Sequence, residues 1–368
     1  MKKKNLCKTL LKTICIVLGI LILALLAYIV YLYASYYRIE DNQELVVEAP
    51  VDDTTTGAAA VLATDTEYSA VTYNIGFGAY LPDYSFFMDG GTSSWAESPE
   101  TVQYAINGAG ELVKSLDPDF ALIQEIDLDA TRSYHTDEYE MLRNILPEYT
   151  TVFAQNYDSA FLFYPFTQPH GSSRAGLGLF SKYPVSSALR RSFPISTSFS
   201  KFFDLDRCYS VSRIPVDNGK ELVIFNLHMS AYGNSDEIRK GQIEMLCNDM
   251  AKEYEAGNYV LCGGDFNHDL KASEEDTESC ESWAFPFPRT ELPEHFAFCL
   301  DLLSSEEQAA LWNSARNADM EYVPGVTYTV TLDGFIISDN IECLSYENVS
   351  TGYSYSDHDP VKVEFVLK

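Results

Sequence analysis

Cysteine is scarce in this chain of 368 residues, which contains eight, and only six of them follow residue 38. No Cys-x-x-Cys motif occurs, so the sequence does not predict a disulfide scaffold. Cys262 lies within an apolar segment and is predicted to be buried and inert. A bridge between Cys280 and Cys299 across a loop remains an open alternative.

Positive charge is scarce as well. The chain has 25 Lys and Arg against 54 Asp and Glu. Six of the basic residues and none of the acids precede residue 39, so the remainder carries a net charge of −35. Proteins that bind nucleic acids in general present basic faces to the phosphate backbone. General nucleic-acid binding is therefore not expected of this chain.

The first 37 residues form a separate pattern. A lysine-rich stretch over residues 1–12 precedes an uncharged apolar run of 25 residues, Thr13–Tyr37. Roughly 20 apolar residues span a bilayer as a helix, whereas a signal-peptide core has about 7–15. We therefore predict a basic cytoplasmic tail over residues 1–12 and a transmembrane signal anchor over residues 13–37. The lysines place the rest of the chain outside the cytoplasm, as the domain of a single-pass protein of the cell membrane.

Residues 38–66 are acidic and rich in Thr and Ala, which is typical of a tether. From residue 67 to 368, short apolar runs alternate with helical patterns and predict an α/β domain with packed sheets flanked by helices. The predicted strands are Tyr68–Asn74, Phe120–Gln124, Thr150–Ala154, Gly176–Ser181, Cys208–Pro215, Glu221–His228, Tyr259–Gly263, Gly334–Ile337 and Val361–Val366. The predicted helices are Ser98–Ser115, Thr136–Leu146, Ser235–Glu255 and Ser305–Asn317, the first with Ser98 as its N-cap.

Two polar side chains follow apolar strands in the first half of the domain. Asn74 ends a predicted strand just before Ile-Gly, where its amide could bind a phosphate oxygen or adopt a turn conformation. Glu125 follows Ala-Leu-Ile-Gln, and a carboxylate leaving such a strand is costly unless it is paired or holds a metal. Mg²⁺ prefers hard oxygen ligands. A solvated strand end is the structural alternative for Glu125.

The second half of the domain repeats this arrangement. His228 ends an apolar strand and could donate a proton to a phosphoryl or leaving oxygen, or be structural. Asp265 and Asn267 follow a strand ending in two glycines, which permit a close backbone approach. Asp333 precedes another apolar run, and Ser-Asp-His-Asp-Pro over residues 356–360 precedes the last strand. Alone, each of these could be an ordinary polar turn.

The ordered set of motifs is more informative than any one of them. In chain order it comprises Tyr73-Asn74, Gln124-Glu125, Gly176–Pro184, Asn226-Leu227-His228, Gly263-Gly264-Asp265-Phe266-Asn267, Asp333-Gly334-Phe335-Ile336 and Ser356-Asp357-His358-Asp359-Pro360. This series resembles the endonuclease/exonuclease/phosphatase superfamily, which includes deoxyribonuclease I-like enzymes and neutral sphingomyelinases. The resemblance covers residues 67–368 and implies a four-layer α/β/β/α sandwich.

The resemblance also implies roles for individual residues. Glu125 would hold Mg²⁺ or Mn²⁺, with Asn74 and Asp357 nearby. Asp265 would activate water and Asn267 would contact the phosphate. His228 and His358 would stabilise the transition state or protonate the leaving oxygen, and Asp333 would orient His358.

The chain departs from the family pattern at two positions. Gly76 stands where some members carry an acid, which weakens an argument for a second metal. Gly334 stands where an aromatic residue or histidine is common.

Candidate substrate contacts come from arginines and from two aromatic segments. Arg174, Arg132 and Arg239 could bind phosphate, or form surface ion pairs. The segments Tyr157–Phe166 and Ser282–Arg289, the latter with Trp283, could contact an apolar substrate or pack in the core.

These observations together predict a monomeric, extracytoplasmic, metal-dependent phosphoesterase that acts on a small or lipid-linked phosphoester. A surface nuclease for DNA or RNA is the alternative, and a binding module without activity is a third hypothesis.

Overall fold

The computed structural model describes residues 2–52, 61–202, 205–230, 236–273 and 284–368. The chain divides into two compact units, Met1–Arg38 and Ile39–Lys368. The first contains helix α1 (Lys2–Ser35), in which Leu6–Ser35 is long and apolar enough to cross a membrane. This helix could be a membrane anchor or a signal sequence.

The second unit contains the remaining helices and strands of the described residues. The helices are α2 (Pro99–Leu116), α3 (Glu138–Ile145), α4 (Asp236–Glu255) and α5 (Ser305–Ala310). The strands are β1 (Gln43–Glu44), β2 (Val47–Glu48), β3 (Glu67–Asn74), β4 (Phe120–Ala130), β5 (Thr150–Asp158), β6 (Ser173–Ser181), β7 (Ser187–Ser192), β8 (Cys208–Pro215), β9 (Glu221–His228), β10 (Tyr259–Asp265), β11 (Phe296–Phe298), β12 (Ala315–Arg316), β13 (Thr329–Val330), β14 (Asp333–Ser338), β15 (Ile341–Asn348) and β16 (Val361–Leu367).

Two seven-stranded sheets form the centre of this unit. The first sheet has the order β15-β16-β3-β4-β6-β5-β2 and the second has the order β1-β7-β8-β9-β10-β14-β11. Residues from both sheets, such as Leu122 and Phe225, share one buried core. Each apolar sheet face must be covered, and the sheets cover one another's inner faces.

Helices cover the outer faces of both sheets. Val102 of α2 and Leu142 of α3 pack with Ile123 of the first sheet in a second core. On the other side, α4 contacts β10 and contributes Ile243 and Leu246 to the core that contains the second sheet. The result is the four-layer α/β/β/α sandwich that the family resemblance implied.

A pair of buried side-chain amides joins the two sheets. Gln124 of β4 donates from Nε2 to Oδ1 of Asn226 in β9 across 2.8 Å, and Asn226 donates in turn to the carbonyl of Gly178 across 3.0 Å. Buried polar groups are tolerated when they are hydrogen-bonded, and they then favour one arrangement of their neighbours. This pair therefore helps to set the position of β4 against β9.

The start of α2 agrees with the sequence prediction. Ser98 is the N-cap, and its Oγ accepts a hydrogen bond from the amide of Thr101 at 3.1 Å. Pro99 occupies the first helical position, where the absence of an N–H has no consequence.

The predicted helix Ser305–Asn317 is wrong beyond Ala310, where α5 ends. Ala315 and Arg316 form β12 instead, and the Arg316 amide donates to the Asp357 carbonyl at 2.9 Å. Tertiary hydrogen bonds to the last loop of the chain thus outweigh a local helical pattern.

The predicted tether is in part folded onto the domain. Strand β1 pairs with β7 and strand β2 pairs with β5, each at the edge of a sheet. Leu62 is fully buried and its amide donates to the Pro215 carbonyl. Residues 53–60 lie outside the described part of the chain.

Candidate active site

Three predicted site residues form a row at one end of the second sheet. Parallel pairing of β9 with β10 sets His228 opposite Asp265. Antiparallel pairing of β10 with β14 sets Asp265 opposite Asp333. Paired residues on neighbouring strands project to the same face of a sheet, so strand register alone brings these side chains together.

The glycines before Asp265 permit this close strand packing. Gly264 has φ of +147°, and a Cβ at this position would lie 2.1 Å from the Leu227 carbonyl oxygen. No other residue fits there without movement of the backbone. The sequence argument for the double glycine is thus confirmed.

The first sheet contributes Asn74 and Glu125. Glu125 lies in a β-bulge, because Ile123 pairs with Gly178 and Ile126 with Gly176, and its φ is +56°. A left-handed non-glycine residue in a bulge redirects its side chain, and bulges are frequent beside active sites.

Asn74 connects the carboxylates of the two sheets. Its Nδ2 donates to Oε1 of Glu125 at 3.2 Å and to Oδ2 of Asp265 at 3.1 Å. Its Oδ1 accepts from the Gly76 amide at 3.0 Å, which fixes the orientation of the side-chain amide. One amide therefore holds two acids from different sheets beside each other.

Two imidazoles flank Asp265. Nε2 of His228 lies 3.5 Å from Oδ2 of Asp265, and Nε2 of His358 lies 3.9 Å from the same oxygen. Nδ1 of His358 is hydrogen-bonded to Oδ2 of Asp333 at 2.7 Å, and Ser314 donates to the same Asp333 oxygen at 2.7 Å. The predicted pairing of Asp333 with His358 is thus present in the structure.

The surroundings give the two imidazoles opposite preferences for a proton. Burial lowers the pKa of His228 well below its ordinary value, and the positive charge of Arg207 adds to this. Burial alone would also lower the pKa of His358, but Asp333 and Asp265 outweigh it and raise this pKa well above its ordinary value. Burial raises the pKa of Asp265 to about 7, although His358 opposes the shift.

Asn267 lies beside Asp265 and has a left-handed backbone conformation. Its φ is +50°, its amide donates to Oδ1 of Asp265 at 2.8 Å, and its Nδ2 donates to the Met229 carbonyl at 3.0 Å. Asn267 also lines a cavity of the domain. Asn267 is therefore close enough to Asp265 to contact the same bound group.

Glu125 and Asp357 supply carboxylate oxygen atoms suited to a divalent cation, and Asn74 presents its Nδ2 to Glu125. Burial raises the pKa of both carboxylates, and the negative charge of Asp357 raises the pKa of Glu125 further. Two half-buried carboxylates that repel each other favour a hard cation nearby. Gly76 leaves room for this arrangement, because a Cβ there would lie 3.2 Å from Oδ1 of Asp357.

Asp265, Asp333 and His358 form another acidic cluster, with ligand atoms within 4.8 Å of one another. Within this cluster Nδ1 of His358 already bonds to Asp333, so these residues fit proton transfer better than metal binding.

A cavity of about 690 Å³ is lined by six of the predicted site residues, Glu125, His228, Asp265, Asn267, Asp357 and His358. Arg132 reaches it while its guanidinium is held by Asp127, with contacts of 3.1 and 2.8 Å, and stacks over the Phe77 ring. Arg207 and Arg316 also line the cavity and are nearly buried. Sequence reasoning found Arg132 but missed the other two, because Arg316 lay in a predicted helix and Arg207 in an unremarkable Asp-Arg pair.

The other predicted substrate contacts do not gather at the cavity. Arg174 points to the opposite side of β6 from Ala175, which lines the cavity, and its guanidinium pairs with Asp129 at 3.1 Å. Arg239 lies over the Phe285 ring with 4.2 Å between guanidinium and centroid. Neither arginine is among the residues that line this cavity, and their phosphate contacts stay predictions. Trp283 and Cys280 lie outside the described residues.

Comparison with known sequences finds one matching family model. A family model described as Endonuclease/Exonuclease/phosphatase family matches residues 71–302. This match includes Asn74, Glu125, His228 and Asp265, whereas His358 lies beyond it. No curated protein sequence matches the chain significantly.

Solved structures resemble the chain at low sequence identity. An endonuclease/exonuclease/phosphatase from Bacteroides vulgatus has a TM-score of 0.54 and 17% identity, and the match covers 83% of this chain and 100% of that one. TDP2 from D. rerio, solved with a single-strand DNA product, has a TM-score of 0.54, 14% identity and coverage of 82% and 99%. ANGEL2, titled a 2',3'-cyclic phosphatase, has a TM-score of 0.56, 12% identity and coverage of 82% and 96%. These likenesses show the shared fold.

Proposed function

Because the chain belongs to the endonuclease/exonuclease/phosphatase family, we propose that it is a phosphoesterase that works with a bound divalent cation, Mg²⁺ or Mn²⁺. The observation that carries this proposal is the double hydrogen bond of Asn74. It ties Glu125, the best candidate to hold the metal, to Asp265, the best candidate to activate water. Family members are hydrolases of phosphoesters and generally depend on divalent metals.

The side chains have distinct roles in this proposal. Asp265 accepts a proton from the attacking water, and Asn267 contacts the phosphoryl oxygens. His228 and His358 donate hydrogen bonds where negative charge develops or where the leaving oxygen needs a proton. Asp333 orients His358. When bound, the cation would neutralise phosphoryl charge and polarise the phosphoester.

The proposed substrate is a small or lipid-linked phosphoester. The net charge of −35 after residue 38 disfavours a long polyanion. Close to the cavity, Phe163, Tyr164 and Phe166 are all exposed, and Tyr164 lines the cavity itself. Exposed aromatic side chains of this kind suit contact with a lipid surface or an apolar tail.

A surface nuclease is the second candidate. Arg132, Arg207 and Arg316 line the cavity and offer guanidinium groups to phosphates, beside five carboxylates that line it too. The similarity to TDP2, whose structure contains a single-strand DNA product, also favours this candidate.

We further propose that α1 anchors the protein in the cell membrane with the catalytic domain on the extracytoplasmic side, as a monomer. Five lysines in the first twelve residues support this orientation.

Hydrolysis of bis-p-nitrophenyl phosphate by the full-length protein in detergent tests the reaction class. We expect activity with Mg²⁺ or Mn²⁺ and its loss with EDTA. Glu125→Gln should reduce kcat by roughly 10²-fold or more because the cation loses a ligand. The exposed carboxylate variant Asp129→Asn is the matched control. Full activity of Glu125→Gln, or activity that EDTA does not change, would contradict the proposal.

A further inference from the structure

Two further residues that line the cavity, Asn156 and His170, carry polar atoms without partners among the described residues. Asn156 is only 1% exposed, yet neither its Nδ2 nor its Oδ1 has a hydrogen-bond partner among the described residues. His170 is 5% exposed, and its Nδ1 likewise has no partner in the described part of the chain. Both side chains line the cavity that contains Asp265 and Glu125.

Local backbone geometry turns Asn156 towards the cavity. In the pairing of β5 with β6, Gln155 is opposite Gly176 and Tyr157 is opposite Ala175, so Asn156 is an extra residue in a β-bulge. A bulge breaks the alternation of side chains and redirects the extra one. Strand β4 also has a bulge where it pairs with β6, beside the same Gly176, and this second bulge directs Glu125.

An unpartnered buried amide is costly for the folded protein. A buried donor or acceptor without a partner costs about 1–3 kcal/mol. Native structures contain few such groups, and the exceptions need an explanation. Here a ligand is the explanation we infer, because both residues that carry the unpartnered atoms line a cavity. The ligand must offer an acceptor for Nδ2 and a donor for Oδ1.

His170 adds a second neutral polar group to the lining of the cavity. Burial lowers the pKa of His170 to about 3, so the ring carries no charge at neutral pH. Its neighbours are aromatic, with ring centroids of Phe86 and Phe87 at 6.4 and 6.1 Å. Phe87 is in turn 5.9 Å from the Tyr164 ring. The surroundings of the polar atoms therefore suit a flat or apolar body.

We propose that Asn156 and His170 form a recognition subsite for the alcohol part of the phosphoester. It accepts an uncharged group that offers both a hydrogen-bond donor and an acceptor, next to a flat or apolar body. This inference rests on the proposed phosphoesterase function. Vicinal hydroxyls of a polyol and the amide edge of a heterocycle both offer this chemistry, and the experiment separates them.

Four p-nitrophenyl diesters with one leaving group test the subsite. The second alcohol is methanol, choline, glycerol or the 5'-hydroxyl of thymidine. Methanol offers no group for the subsite, choline offers a cation without a donor, glycerol offers hydroxyls, and thymidine offers an imide edge. Because the leaving group is constant, differences in kcat/KM report binding of the second alcohol.

We expect the full-length protein to prefer the glycerol or the thymidine diester over the methyl diester by roughly tenfold or more in kcat/KM, since a well-placed hydrogen bond to a buried group is worth about this much. The choline diester should show no such preference. The preferred diester identifies which source of the shared chemistry the subsite takes.

Two substitutions separate the subsite from general damage. Asn156→Leu should remove the preference, and Asn156→Asp, which keeps the shape but loses the donor, should reduce it. The matched control is Gln155→Leu, since the Gln155 side chain bonds to Asp158 and to the Tyr157 carbonyl rather than facing the cavity. This control should keep the preference.

If Asn156→Leu does not fold, Asn156→Asp and His170→Leu give the same comparison. An equal kcat/KM for all four diesters in the unmodified protein, or a preference that survives the Asn156 variants, would overturn the subsite. Failure to hydrolyse even the methyl diester would instead overturn the proposed function.

Discussion

Oδ2 of Asp333 lies 2.7 Å from Nδ1 of His358, and both side chains are buried. The two residues are 25 positions apart in the chain: Asp333 begins β14 of the second sheet, and His358 lies in the loop before β16 of the first sheet. This contact leaves Nε2 of His358 on the side of Asp265. The pair therefore fixes both the orientation of the imidazole and its tendency to carry a proton.

Asp333→Asn should reduce kcat by roughly 10²-fold or more, because the imidazole loses its orienting acceptor. The variant should also alter the pH profile. Asp333 raises the pKa of His358, so its loss should lower that pKa and move the alkaline limb of the kcat profile to lower pH. The exposed carboxylate variant Asp339→Asn is the control. An unchanged pH profile would assign Asp333 a structural role only.

Asp265→Asn, His228→Ala and His358→Ala should each reduce kcat by roughly 10²-fold or more, as is typical of general acid–base and transition-state groups. Circular dichroism should remain that of the unmodified protein. His295→Ala removes an exposed imidazole and serves as the control. Near-full activity in two of the three variants would refute the assignment of these roles.

His170 should make the stability of the domain depend on pH. Its pKa is about 3 in the folded state and about 6.5 when exposed, so the unfolded chain binds the proton more readily. Stability is therefore lost as pH falls below about 6.5. Between pH 7 and pH 5 the unmodified protein should lose about 2 kcal/mol of unfolding free energy relative to His170→Leu. Parallel urea unfolding curves at both pH values measure this, and an equal loss in both proteins would contradict it.

The exposed aromatic residues near the cavity should matter for lipid substrates. Replacement of both Phe163 and Phe166 by Ser should reduce hydrolysis of a single-phosphate lipid in vesicles several-fold, with little change for bis-p-nitrophenyl phosphate. Leu302→Ser, which also changes an exposed apolar side chain, is the control.

The same preparation should nick plasmid DNA slowly, most of all at low salt where repulsion from the acidic domain is least screened. Efficient nicking without activity on any lipid phosphoester would favour the nuclease.

The orientation of the chain is testable in intact cells. If α1 is an anchor with its lysines in the cytoplasm, external protease should digest residues 39–368 and leave a membrane-bound fragment. Protection of the domain in intact cells, with digestion after lysis, would place it inside. Recovery of a soluble form that begins near residue 35 would show that α1 is a signal sequence.

The apolar patterns of the sequence by themselves predicted packed sheets flanked by helices and the polar residues that end the strands, and the family resemblance implied the four-layer sandwich. Strands β8 and β9 were predicted to their exact ends, because β8 ends at Pro215 and the apolar run of β9 ends at the polar residue His228. Asn74, Glu125, His228 and Asp265 were found for the same reason: each polar side chain ends such a run. Gly264 was informative because only glycine allows the close strand contact seen there.

The tertiary structure alone decided which side chains meet. Strand register sets His228, Asp265 and Asp333 in one row, and register between distant segments cannot be deduced from local pattern. The bulges that aim Glu125 and Asn156 depend on pairing with β6, so no local signal singled out Asn156. Arg316 lines the cavity because tertiary hydrogen bonds replace the predicted helix. Arg174 does not line it, because side chains alternate along β6 and that of its neighbour Ala175 lies on the cavity side. Local sequence sets which residues a strand ends on, whereas the packing of distant strands sets which of those residues share a cavity.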